Sequence, residues 1–178
     1  MENALDVGGN PVSVARSPLL MLTRYAEWAN LKLYEVIARL PPQELRKEQK
    51  IVFGSLFRTL EHTYAMDLVW QAHLQGRSHG FTSRTPALHE DFATLRSAQA
   101  VLDQWYIHAA EEMAGHAADE VVNFNFIGGT PGSMTRGEIL LHVVNHKTYH
   151  RGHIADMLFQ IPVQPPTTDL PVFLRVAY

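Results

Sequence analysis

His146 and His150 stand four residues apart in the segment 140–153, LLHVVNHKTYHRGH. Four-residue spacing places two side chains on neighbouring turns of one helical face. At about 100° per residue, Ile139, Val143, Ile154, Met157 and Ile161 project within roughly 60° of one another. His146 and His150 fall about 20° to either side of Ile139. The helix therefore aims two imidazoles at its own apolar stripe, where polar nitrogens need partners. A hydrogen-bonded core histidine answers that need one ring at a time. Two rings at this spacing answer it together by gripping one first-row divalent ion. A tetrahedral catalytic site then needs a third protein ligand and an open position.

His142 and His153 are the competing ligands on the same helix, at about 60° and 40° from Ile139, which puts them at the stripe's edge. His73, His79, His89, His108 and His116 are read as surface or loop residues. A ligating imidazole usually donates its second nitrogen to a carboxylate, carbonyl or water. Glu61, Asp67 and Asp156 are candidate acceptors, against the simpler reading of solvated helix charges. The residue after His146 is Lys147, so the general base of the HExxH metalloprotease pattern is missing. Arg151, about 120° from Ile139, is expected to be exposed or between subunits, and Gly152 to mark a close helix approach.

Four helices must position these groups. Ser17-Pro18 supplies an N-cap followed by proline at the first helical position. Leu19, Leu22, Ala26, Ala29, Leu33, Ile37 and Leu40 follow at helical spacing, and Pro41-Pro42 stops the run. A second helix spans about Gly54 to Gln75 and carries His62 beside its inner stripe. After a polar loop at 76–87, Leu88 to Met113 forms the third. Val121 to Phe126 is β-prone, and Gly128 to Ser133 is turn chemistry, giving a short hairpin or extended crossover. Thr135-Arg136-Gly137-Glu138 fits a capping box for the fourth helix, which Pro162 ends. Pro165 to Tyr178 holds too many prolines for a helix, but its apolar residues predict a tail, 163–178, packed across the bundle. The fold class is all-α, one domain over 1–178, with residues 1–16 expected to be flexible.

Composition narrows the function classes. The 178 residues carry a net charge of −3 and no cysteine. No global basic footprint marks a nucleic-acid partner, and no stretch of ~18 apolar residues predicts a membrane span. The N-terminus lacks the pattern of a secretory signal, so a cytoplasmic location is expected. Without cysteine there is no thiolate ligand or nucleophile, and any thiol chemistry needs a thiol cosubstrate.

Asn145-His146, three residues, then His150-Arg151-Gly152 resembles the motif of the DinB (damage-inducible) family. Tyr25-Ala26-Glu27-Trp28-Ala29-Asn30 resembles its first-helix signature. Phe53-Gly54-Ser55-Leu56 with Leu60-Glu61-His62 and Trp70 resembles its second-helix pattern, and Thr168-Asp169-Leu170 to Phe173 its tail. The resemblance implies an up-down-down-up four-helix bundle, usually a homodimer. It implies a nickel or zinc ion on His62, His146 and His150. It also implies relatives that act as metal-dependent transferases using thiols such as mycothiol or bacillithiol. Tyr149 stands where the family often has histidine, and His153 where it often has glutamine, so the cavity rim differs. Two function classes follow: a metalloenzyme acting on a small-molecule substrate, and a non-catalytic metal- or ligand-binding bundle. An open side at the ion marks the first, and a closed four-ligand ion the second.

Overall fold

Residues 17–113 and 115–177 are described by a computed structural model. Among them, α1 is Pro18–Ile37, α2 Pro42–Arg46, α3 Leu56–Leu74, α4 Phe92–Glu112, α5 Arg136–Gln160 and α6 Leu170–Ala177. Strands β1 (Val121–Asn125) and β2 (Pro131–Thr135) form an antiparallel hairpin that pairs Val121 with Thr135 and Phe124 with Gly132. The expected flexibility of residues 1–16 lies outside the described residues.

Local chemistry sets the helix starts. Thr135 Oγ1 accepts from Glu138 N–H at 3.2 Å, and the Glu138 carboxylate accepts from Thr135 N–H at 2.7 Å, completing the expected capping box. Ser55 caps α3 by accepting from Arg58 N–H at 3.3 Å. Gly54, at φ 75°, turns the chain into that cap through a conformation that favours glycine. The third long helix starts at Phe92 rather than Leu88, because the Asp91 carboxylate caps it, accepting from Thr94 N–H at 2.8 Å.

Side-chain pairs fix the helix directions. Arg24 meets Glu111 and Asn30 meets Asp103, so α1 and α4 run antiparallel. His62 meets His150 while Trp70 meets His142, so α3 and α5 run antiparallel. Glu61 meets His89 and Asp67 meets Gln99, which makes α3 and α4 parallel. Gly137 lies against Leu19 and Arg151 lies over the Tyr25 ring, which makes α1 and α5 parallel. This is the up-down-down-up arrangement.

The core has two apolar layers. Trp70, Leu102, Tyr106, Ile139 and Val143 belong to one, and Leu33, Ile37, Leu60, Leu95, Ile154 and Met157 to the other. Between them lies a polar layer to which all four long helices contribute. Lys147 Nζ donates to Asp103 Oδ1 at 2.5 Å and pairs with Asp67 Oδ2 at 2.9 Å. Gln99 donates to both carboxylates at 2.9 Å, and Asn30 donates to Asp103 Oδ2 at 2.8 Å.

Several expectations are corrected. The proline-rich tail ends in helix α6, because Pro171 sits in its first turn, where no amide donor is needed. Its Phe173 packs on Tyr25 and Trp28, and Tyr25 OH donates to the Thr168 carbonyl at 2.8 Å. Asp67 is 1% exposed, not a solvated charge. Arg151 is buried against Tyr25, not exposed. A Cβ at Gly152 meets nothing within 4 Å, so no close helix approach explains that glycine.

Candidate metal centre

Helix α5 packs against α1 on one side and α3 on the other, so its buried arc is wider than one apolar stripe. Measured from Ile139 it runs from about 0° at Ile139 itself, through Lys147 near 80°, to Val144 near 140°, with half-buried His146 just outside it at about −20°. Lys147 lies close to the middle of the arc and enters the polar layer. His146 and His150 lie at its edge, where α5 faces α3. On α3, His62 occupies the matching edge one turn before Met66 and two before Trp70.

The three rings converge. One ligand atom from each of His62, His146 and His150 lies within 4.8 Å of the other two. His146 Nε2 and His150 Nε2 are 3.0 Å apart. Imidazole–metal distances of ~2.0–2.1 Å in tetrahedral geometry set ligand nitrogens roughly 3.3 Å apart, close to that separation. His62 Nδ1 donates to the Arg84 carbonyl at 2.7 Å. That bond fixes the tautomer and leaves the Nε2 lone pair of His62 for the cluster. The acceptor behind this ring is thus a loop carbonyl, not one of the carboxylates picked from the sequence. Glu61 instead accepts from Leu88 N–H at 2.6 Å and from His89 Nδ1 at 2.6 Å, which ties down the 77–91 loop. Asp67 faces Lys147, and Asp156 accepts only from Gln160.

The rings are held neutral. Burial, then the mutual proximity of the imidazoles, pushes His146 down to about 3 and His150 down to about 4, and burial lowers His62. A lone pair on each ring is therefore available across the neutral pH range. Unfolded imidazoles titrate near ~6.5. Stability gained by keeping these rings neutral is complete above that pH and is lost as pH falls toward the folded values. Nδ1 of His146 and of His150 are buried without a hydrogen-bond partner. At most one proton can lie between the two facing Nε2 atoms, and the donor set of three neutral imidazoles fits a divalent cation.

The cluster opens onto a cleft of about 490 Å³ between α3 and α5. Phe53 stacks on His62 at 4.1 Å between centroids. Met66, Val69, Trp70, Phe126 and Ile127 continue the wall away from the histidines. His142, tilted against the Trp70 ring at 4.6 Å, and His153 both line the cleft but stand outside the three-nitrogen group. His73, expected at the surface, is 5% exposed, because Phe124 of the hairpin stacks on it at 4.6 Å. His89 is half-buried against Glu61, whereas His108 and His116 are exposed as expected. Sequence reasoning missed Arg84, and it placed Phe53 in the second-helix pattern without a role at the site. Arg84 lies in an irregular loop with no periodic signal, and Phe53 sits just before a helix start.

The model of the DinB family matches residues 13–178. Protein DinB of Bacillus subtilis (strain 168) is 30% identical over 160 residues, covering 86% of this chain and 91% of that protein. A crystal structure of a DinB-like protein from Bacillus cereus ATCC 10987 shares the fold at a TM-score of 0.64. It is 18% identical and covers 84% of this chain and 94% of its own.

Proposed function

The chain belongs to the DinB family, and on that premise we propose a metalloenzyme that joins a small thiol to an electrophilic substrate. His62, His146 and His150 hold the ion, nickel or zinc. The observation that carries this reading is the open side. Three neutral imidazoles face a cleft of about 490 Å³, a size that suits a small ligand. No further histidine, aspartate or glutamate joins them among the described residues. A closed fourth ligand would have favoured a structural ion.

A bound divalent ion supplies acidity, lowering the pKa of a thiol or water so that it is nucleophilic near neutral pH. The chain's own groups bind and orient. The Arg84 carbonyl holds the His62 tautomer, Phe53 fixes that ring by stacking, and the Trp70 wall excludes water from an apolar substrate. No carboxylate lines the cleft, so a general base on its wall would be a histidine outside the three-nitrogen group, His142 or His153. With no cysteine in the chain, the thiol arrives as a cosubstrate, and a cytoplasmic location supplies it. No described helix is long and apolar enough to cross a membrane.

Metal analysis of the purified protein followed by thiol-dependent conjugation of electrophiles tests this reading. About one nickel or zinc per chain is expected, with conjugation that stops on chelation and returns with the ion. Conjugation that persists after complete metal loss would sink it.

We also propose a homodimer through the outer faces of α1 and α4. Trp28 and Trp105 are only half-buried there, and Leu31 and Val101 are 43% and 73% exposed. A second copy would cover this apolar surface. Sedimentation at micromolar concentration should give twice the monomer mass of 20.1 kDa. A monomer there would refute the dimer.

A further inference from the structure

Arg84 is the one residue carrying a fixed charge among those lining the histidine cleft. Its guanidinium makes no ion pair or hydrogen bond with any described residue, although its backbone carbonyl holds His62. Glu61 and Asp67, the acidic residues of α3, are buried and bonded away from the cleft, to His89 and Lys147. A cation on the three histidines and the guanidinium thus share one space with no carboxylate between them. That arrangement repels the ion unless a ligand brings negative charge. A low-dielectric wall beside it strengthens any such field.

We propose that the cleft binds an apolar-bodied anion, whose carboxylate-type head lies beside Arg84 at the histidine end and whose body lies along Met66, Val69, Trp70 and Phe126. The ligand class rests on the reading of this cleft as the working site, but Arg84 recognises the head whether or not an ion is bound. Arginine suits the role, since its planar fork pairs with a carboxylate through two parallel hydrogen bonds. The wall accounts for the body, because aromatic and thioether side chains gain most from apolar or aromatic contact. The two parts together exclude cationic ligands and small hydrophilic anions as good occupants.

The test is calorimetric titration of phenylbutyrate and of its uncharged amide. Wild type and Arg84→Gln are each titrated metal-free and zinc-loaded, at low salt. Metal-free wild type should favour the acid over the amide by about tenfold, as a charge-assisted pair predicts. Arg84→Gln should lose most of that preference while binding the amide as wild type does. Salt should weaken the acid and leave the amide unchanged, because the guanidinium is at the surface. Equal binding of acid and amide, failure of both to bind, or a preference that survives Arg84→Gln in metal-free protein would overturn the proposal. A chain that takes up no zinc but keeps an Arg84-dependent preference would leave the anion site standing and remove the metal reading instead.

Discussion

Replacing Lys147 with alanine should cost the fold about 3–5 kcal/mol at neutral pH, the typical loss when one partner of a buried ion pair is removed. Lys147 is 2% exposed, and its ammonium joins Asp103 of α4 to Asp67 of α3. Without it, two buried carboxylates face each other with Gln99 as their shared donor. Total stabilities of single domains are about 5–15 kcal/mol, so this one change removes a large part. The effect depends on pH. Burial already pushes Asp67 up to about 6 despite the ammonium beside it. Removing the ammonium raises Asp67 further above its unfolded value. The folded variant then takes up a proton at higher pH than wild type does, so the deficit is full at high pH and shrinks as pH falls from the variant's raised carboxyl value toward about 6, where wild-type Asp67 titrates. Urea unfolding at neutral and mildly acidic pH measures this. A loss below about 1 kcal/mol, or one independent of pH, would contradict it. A triple variant with Lys147→Met, Asp67→Asn and Asp103→Asn should recover much of the loss, because no unpaired charge stays buried.

His150→Ala should abolish ion binding while sparing the bundle. Even supporting residues behind ligands change metal affinity by about 10–100-fold, and a ligand itself should cost at least the upper end of that range. The metal-free variant should lose no more than about 1–2 kcal/mol of stability, an ordinary cost for one substitution. His150 stands at the edge of the α5 arc, beside a cleft, and the apolar layers above and below the polar layer remain intact. Far-UV circular dichroism should be unchanged at room temperature. Zinc should raise the melting temperature of wild type by mass action and leave that of His150→Ala where it was. Unfolding of wild type on chelation would make the ion structural, as in zinc fingers. A full complement of ion in the variant would remove His150 from the ligand set.

What was legible in the chain is what depends on neighbours within a turn or two. The Thr135–Glu138 capping box, the proline start at Pro18, the apolar periods of the long helices and the hairpin's turn chemistry are set by contacts a few residues apart. The His146–His150 pair belongs here too, since four-residue spacing in a helix guarantees adjacency. The resemblance placed His62 with them. Only the tertiary structure decided which faces are buried, because that depends on helices distant in sequence. Lys147 looks like a solvated lysine in a polar run, yet packing of α5 against both α1 and α3 widened the buried arc until Lys147 lay near its centre. The same widening buried Arg151 and left His146 and His150 at the rim, where a cleft reaches them. His73 became internal because a hairpin some fifty residues away, at Phe124, closed over it. Arg84 acquired its place because Glu61 ties down the 77–91 loop. A local period reports which residues share a helix face. It does not report how many neighbours that face meets, and at this site that number separates a cleft-side histidine from a core charge.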